Sequence, residues 1–364
     1  MKKTKPTAFI TGITGQDGAH LAYLLLSKGY KVYGGHRRSN NKLWRLDFLG
    51  IKEKITLIDF HLNEPQHVTT IIQELKPNEL YHLAAESFIA DSFKYPNRVM
   101  AINTNSTCNI LEAIRIYSPS TRMFFASSSE VFGNSKPGEL LDESSKFYPS
   151  NPYAISKLSS DFFIKMYREK YGIFACSGIL FNHEGPLRGG QFVSRKITSN
   201  LARLKTKAGL PLVLGSLDIS RDWGASIDYV NAMRLMLKSD NPNDYVISTG
   251  KLTTVREFLR LASLEVGFDP IFEGENENEF CYDKVSGLTI AKVSKKYFRP
   301  FDTNPLAGDS SKISSDLGWA RKINFEKLIG LMINADLDRC NSCLLYTSDA
   351  ADDLLCVDLG GRRI

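Results

Sequence analysis

Tyr153 and Lys157 stand four residues apart in the run Tyr-Ala-Ile-Ser-Lys, a spacing that puts both side chains on one face of a helix. An ammonium group beside a phenol favours the phenolate, so the tyrosine can give and take a proton near neutral pH. Such pairs also arise by chance on exposed amphipathic helices, but here Pro152 precedes the pair at a plausible helix start. A second candidate is Ala126-Ser127-Ser128-Ser129-Glu130, which ends an apolar run. Serines after a strand are ordinary turn formers. A glutamate directly after them is less expected, and a carboxylate there can remove or deliver a proton.

The third candidate is Thr11-Gly12-Ile13-Thr14-Gly15-Gln16-Asp17-Gly18, between a short apolar run and a helical stretch. Three glycines alone make an ordinary turn. After a strand and before a helix they form a dinucleotide loop, in which the first permits the turn, the second lets backbone approach a pyrophosphate, and the third lets helix and strand pack closely. The phosphate then sits on free N–H groups at a helix N-terminus. At the end of the second β-run, where an acidic residue would bind the ribose 2′-hydroxyl of NAD, the chain has His36-Arg37-Arg38-Ser39-Asn40. Guanidinium forks suit a 2′-phosphate, so the expected cofactor is NADP.

Positioning these groups requires a sheet with its loops at one edge. Short β-rich runs at Thr7 to Thr11, Lys31 to Gly34, Ile55 to Ile58, Glu79 to Leu83, Arg122 to Ser127 and Phe174 to Leu180 alternate with helical stretches at His20 to Ser27, Val68 to Leu75, Asn105 to Tyr117 and Tyr153 to Tyr171. That alternation predicts an α/β fold with a doubly wound Rossmann parallel sheet. From about Asn182 the pattern loosens, with helices expected at Thr254 to Val266 and Phe325 to Leu337. The expected division is an NADP-binding domain over 1–181, to which later segments return, and a smaller C-terminal substrate-binding lobe over 182–342. Residues 343–364 break with the preceding pattern and resemble the translated read-through of a sequencing adapter, so they are expected to be a non-native tail.

Composition excludes several classes. With 364 residues, 43% hydrophobic and 24% charged, the chain has the make-up of a globular protein rather than of a disordered or fibrous one. The net charge of +6 comes from scattered residues without an aromatic-flanked basic stripe, which gives no nucleic-acid partner. Met1 to Pro6 run directly into an apolar strand without the long apolar region of a signal peptide, and no run is long enough to span a bilayer. The expected location is therefore cytoplasmic, with no membrane partner. Among the cysteines, only Cys340 and Cys343 approach a metal spacing, without further ligands, so no metal is expected.

The runs ITGITGQDGAHLAYLLL, HLAAESF, ASSSEVFG, NPYAISK, GILFNHEGPLRGG, FVSRKIT, SRDWG, DYV, KYFRP and LGW occur in this order. In them the chain resembles the GDP-mannose 4,6-dehydratase family, from roughly Thr7 to Asp336. The resemblance implies that Ser128 stands where a threonine usually shuttles a proton, Glu130 is the base, Tyr153 abstracts the O4 proton and Lys157 supports it. It implies NADP contacts from Gly12, Ile13, Thr14, Gly15, Gln16, Asp17, Arg37, Arg38, Ser39, Asn40, His61 and Leu62. Further contacts are implied from Leu83, Ala84, Ala85, Glu86, Ser87, Arg98, Lys157, His183 and Arg188. Asn182, Val193, Lys196, Arg221 and Arg299 would face GDP-mannose, and a homo-oligomer, dimer or tetramer, is implied. The chain departs from the family in having His61 where an acidic residue is usual and Arg98 where a tyrosine is usual. Glu86, Gly185, Leu187 and Ala225 also differ from common choices.

The three candidates give a coherent route. Oxidation at a sugar C4 needs Tyr153 and Lys157, and loss of water next to the new ketone needs a base, which Glu130 supplies. An epimerase or reductase acting on another nucleotide sugar would need the tyrosine and lysine but not the glutamate. A catalytically silent NADP-sensing protein would keep the glycine loop and lose the acid/base pair. If Arg37 and Arg38 select the cofactor, changing both to alanine weakens NADP binding far more than NAD binding, each charged hydrogen bond contributing about 1.5–3 kcal/mol. Titration of both cofactors checks this, and equal losses would refute the assignment.

Overall fold

The computed structural model describes residues 5–37, 43–133, 136, 138–206, 209–297 and 305–345. Arg38, Ser39, Asn40 and Arg299 lie outside the described residues, as does the expected tail from residue 346 onward. The described residues form two compact units. Those of the first fall within Met1–His183, Arg221–Leu252 and Thr303–Ile323, and those of the second within Glu184–Ser220, Thr253–Asp302 and Asn324–Ile364.

The first unit is built on seven strands: β1 (Thr7–Thr11), β2 (Lys31–His36), β3 (Thr56–Asp59), β4 (Glu79–His82), β5 (Arg122–Ala126), β6 (Ala175–Leu180) and β7 (Tyr245–Ile247). Their order is β7-β6-β5-β4-β1-β2-β3, with every neighbouring pair parallel. A parallel sheet is covered by helices on both faces, so side chains on both faces of its strands are buried. All residues of β4, β6 and β7 are buried. The chain runs outward from β1 through β2 and β3, then returns to β4 on the other side of β1. The order reverses between β1 and β4, and the crevice beyond their carboxyl ends is where a doubly wound sheet binds ligands.

Five helices matter for the site: α1 (Gln16–Ser27), α2 (Pro65–Leu75), α3 (Ser106–Tyr117), α4 (Pro152–Tyr171) and α5 (Ser226–Lys238). α1 starts four residues before its expected His20, because Gly15 already serves as its N-cap. α3 is entered through a π-helical turn, Ala101–Asn105. α4 has Asn151 as a side-chain cap, Pro152 in its first turn and Gly172 in a left-handed conformation as its stop, three signals that agree with one another. Val68 and Ile72 of α2, Ile110 and Ile114 of α3 and Ile164 of α4 pack with Phe9, Leu80, Met123 and Phe125 of the sheet. Arg168 forks onto Asp244 at 2.8 and 2.6 Å, and the same carboxylate accepts from Ser177 N at 2.8 Å, tying α4 to the end of the sheet.

The sequence predicts six strands for the sheet, and β7 is the seventh. It lies inside the stretch expected to be the substrate lobe, and at three residues it is too short to carry a period.

In the second unit, the helices Val193–Lys205, Val255–Glu265 and Phe325–Leu345 accompany a four-stranded sheet formed by Pro270–Glu273, Phe280–Asp283, Thr289–Val293 and Leu212–Leu214. Buried Asp336 accepts from Thr198 Oγ1 at 2.7 Å and pairs with Arg195 at 2.5 Å and Arg339 at 3.0 Å, which holds the first and last of these helices together. The last helix runs eight residues beyond its expected Leu337, so Cys343–Leu345, read from sequence as the start of the tail, belong to it. Among the described residues no helix is long and apolar enough to cross a membrane.

A short 3-10 turn, Ser129–Phe132, follows β5 and ends at Gly133 with φ of +52°. A Cβ on Gly133 would overlap the Tyr148 carbonyl oxygen, while Tyr148 N donates to Val131 O at 2.9 Å, so the backbone closes on itself with no space to yield. Gly133→Ala is expected to destabilise the fold by on the order of 3 kcal/mol. Urea unfolding checks this, and a midpoint equal to that of the native chain would contradict it.

Candidate active site

The candidate groups of the first unit gather beyond the carboxyl ends of β1, β4, β5 and β6. Gly12 leaves β1 with φ of +72°, and a Cβ there would lie 2.8 Å from Ala84 N and 2.9 Å from Ala84 Cα. A Cβ on Gly18 would overlap the Gly12 carbonyl oxygen. Only glycine permits the two loops and the first turn of α1 to approach this closely. Gly15, the cap of α1, brings no side-chain oxygen, so the first-turn N–H groups and the helix dipole are suited to a pyrophosphate. The cradle fits a dinucleotide.

Around it, Arg45 Nη1 donates to Thr14 O at 2.9 Å and Gln16 Nε2 to His183 O at 3.1 Å. His183 lies between two acceptors, Phe181 O at 2.7 Å from Nδ1 and Asp17 Oδ2 at 2.8 Å from Nε2. Both ring nitrogens thus face oxygen atoms, which fix the ring from two sides. It stacks on Tyr229 at 4.6 Å between centroids. The neighbouring His20 is neutral, its pKa pushed down to about 4 by burial, against the pull of Asp17 and with the help of His183 and Arg45.

The expected contacts divide by location. Arg37 is exposed after β2. His61 meets Asp59 at 3.3 Å and Glu64 at 3.8 Å after β3, next to Leu62. Leu83 and Ala84 donate their N–H groups to Thr11 Oγ1, each at 3.2 Å, and Ala85, Glu86 and Ser87 continue that loop. Arg98 pairs with Glu86 at 3.1 Å. Asn182 follows β6, and Arg221 precedes buried Asp222, which accepts from Thr249 N and Gly250 N at 2.8 and 2.9 Å. In the second unit, Arg188 pairs with Glu184 at 2.9 Å and lies 3.5 Å over the Phe192 ring. Val193 opens its helix, and Lys196 is exposed one turn later.

Acid/base groups follow β5. Ser128 is extended, and its hydroxyl accepts from Glu130 N at 3.3 Å, starting the short turn that carries Glu130. Asn151 Nδ2 donates to Glu130 Oε2 at 3.0 Å. Two residues on, α4 presents buried Tyr153, and one turn later Lys157, whose Nζ donates to Ala126 O at 2.6 Å. That ammonium lies 4.7 Å from the Phe125 ring centroid and 5.8 Å from that of Tyr153. Burial pushes its pKa down to about 8, with Asp161 opposing.

Several residues of this network escape the sequence pattern. Asn103, in the π-helical turn, accepts from Glu86 N at 2.9 Å and donates to Ser156 Oγ at 2.9 Å. Ser156 in turn donates to Tyr153 O at 2.7 Å. The loop after β4 is thereby tied to the segment of α4 between tyrosine and lysine. Asp161, one turn beyond Lys157, accepts from Ser127 Oγ at 2.5 Å. Its pKa is pushed up to about 7, chiefly by burial.

A carboxyl group that binds its proton more tightly folded than unfolded loses stability as pH rises from about 4 to about 7. Moving from 3.8 to about 7 corresponds to about 4 kcal/mol. Asp161→Asn keeps an acceptor for Ser127 without the charge. The variant should be more stable than the native chain at about pH 8 by up to that amount, and similar to it at about pH 4. Unfolding curves at the two values check this, and a native advantage at pH 8 would contradict it.

A family model described as GDP-mannose 4,6 dehydratase matches residues 9–332. GDP-mannose 4,6-dehydratase of Yersinia enterocolitica is 38% identical over 95% of this chain and 97% of its own. GDP-mannose 4,6 dehydratase 2 of Arabidopsis thaliana is 40% identical over 91% of this chain and 87% of its own. Among solved structures, RMD from Pseudomonas aeruginosa, complexed with NADPH, is similar in fold with a TM-score of 0.74 and 22% identity, covering 92% of this chain and 100% of that one. With a family model over residues 9–332 and relatives 38–40% identical over more than nine-tenths of it, this chain belongs to the GDP-mannose 4,6-dehydratase family.

Proposed function

We propose that this chain is a lyase that converts GDP-mannose to GDP-4-dehydro-6-deoxy-mannose and water, with NADP as its cofactor. The observation that carries the reading is Glu130, bonded through Asn151 to the start of the helix that bears Tyr153 and Lys157. An epimerase or reductase has use for the tyrosine and lysine alone. Arg37, in a segment without the acidic residue that selects NAD, supports NADP. The glycine cradle at Gly12 and Gly18 and the first turn of α1 would hold the pyrophosphate.

NADP⁺, when bound, supplies the reversible acceptor that takes the hydrogen of C4 and gives it back at C6. Tyr153 takes the O4 proton as that carbon is oxidised, and the Lys157 ammonium supports the phenolate. The ketone at C4 acidifies C5–H, and Glu130 removes that proton. The C6 hydroxyl leaves as water with a proton from Ser128 or Glu130. Once the hydrogen has returned to C6, the C5 proton is replaced, and no net oxidation remains.

Glu130→Gln keeps size and most hydrogen bonds but removes the base. Mixed with GDP-mannose, the variant is expected to accumulate bound NADPH and a 4-keto-hexose that has lost no water, whereas Tyr153→Phe shows no NADPH. In heavy water the native product should carry one deuterium at C5. Absorbance of the reduced nicotinamide and product mass check these outcomes. Near-native dehydration by Glu130→Gln would overturn the assignment.

A further inference from the structure

We propose that Asn151 is a positioning residue that fixes Glu130 as the base, linking the elimination step to the helix that performs the oxidation. The inference rests on the dehydratase reading above. Asn151 is 4% exposed, and its Oδ1 accepts from Ala154 N at 2.8 Å as the cap of α4. An amide oxygen facing that N–H settles the orientation of the whole group: its NH₂ must face the other way, toward Glu130 Oε2 at 3.0 Å. A donor bonded to a carboxylate favours the charged form, and only the charged form can take a proton from carbon. Pro152 in the first turn holds the cap rigid.

The choice of residue separates this role from capping. Serine, threonine, aspartate and asparagine all cap helices well. Only asparagine offers, from one planar group, an acceptor to the helix and a donor to a carboxylate placed opposite. Serine is too short to span both partners. Aspartate lacks the donor and would set a second negative charge beside Glu130. A cap alone would be satisfied by any of the four, whereas a cap that also orients the base is satisfied by asparagine.

Asn151→Ser and Asn151→Asp both retain a capping oxygen, so thermal midpoints should stay within a few degrees of native. In rapid mixing of the full chain, loaded with NADP⁺, against GDP-mannose, reduced nicotinamide should form at close to the native rate in both variants and then persist. Water loss and deuterium uptake at C5 should slow by roughly 10-fold or more in Asn151→Ser, the scale of one hydrogen bond to a charged group, and further in Asn151→Asp. Oxidation and elimination falling together, or neither changing, would overturn the role and leave Asn151 a cap. A native chain that oxidises no GDP-mannose would overturn the dehydratase reading and this inference with it. A native chain that dehydrates GDP-mannose while Asn151→Ser does so equally fast would overturn this inference alone.

Discussion

One buried hydroxyl fixes the edge of the sheet at which everything functional is assembled. Thr11, the last residue of β1, bonds to His82 Nδ1 at 2.8 Å and accepts from Leu83 N and Ala84 N at 3.2 Å each. His82 is fully buried and neutral, its pKa pushed down to about 3 by burial with a smaller push from Lys157. A neutral ring has one donor, and with Ser106 Oγ at 3.2 Å from Nε2 the arrangement that satisfies every group has Thr11 donating to Nδ1 and Nε2–H donating to Ser106. The hydroxyl then makes all the bonds it can, one given and two received. With the ends of β1 and β4 clamped in this way, Gly12 can lie against Ala84 with no room for a side chain between them.

From that clamp the constraint passes to the catalytic helix through polar side chains rather than apolar packing. Ser106 opens α3, and the π-helical turn just before it carries Asn103, which reaches both the loop after β4 and Ser156 of α4. Insertion of a residue into a helix turns its polar side chains out of regular register, which is why such turns recur at functional sites. Thr104 Oγ1 adds a bond to Ser156 O at 3.0 Å. Lys157 is then held by the Ala126 carbonyl and the face of Phe125. The cost of burying that ammonium is offset by fixed dipoles and by Asp161 one turn away. Such a lysine responds to the charge of its surroundings and can support a phenolate without being locked into an ion pair.

How much of this was legible depended on whether the interaction was local. The glycine loop, the Tyr153–Lys157 spacing and Pro152 at the start of α4 are each written within a few residues, and the structure has each in an element expected from its pattern. The six long strands were legible for the same reason. β7 was not, because three residues carry no period, and its place beside β6 is set by Asp244, Arg168 and Ser177 from three separate segments. Asn103 and Ser156 are 53 positions apart, Ser127 and Asp161 34, and Glu130 and Asn151 21. In a linear reading each is an unremarkable polar residue at a turn or on a helix. Glu130 itself stands out only because a carboxylate at the end of a strand has no ordinary turn-forming duty.

The departures from the family acquire a physical sense once their partners are known. Arg98, where a tyrosine is usual, pairs with Glu86, which also differs from the common choice, and Arg98 lies 5.2 Å over the Tyr95 ring. A pair this exposed adds little to stability. Its consequence is geometric, because Glu86 is also the residue whose backbone is held by Asn103, so two bonds from different directions now set the loop after β4. His61 shows the same logic after β3: placed where an acidic residue is usual, it sits between Asp59 and Glu64, which supply the negative charge from its two sides.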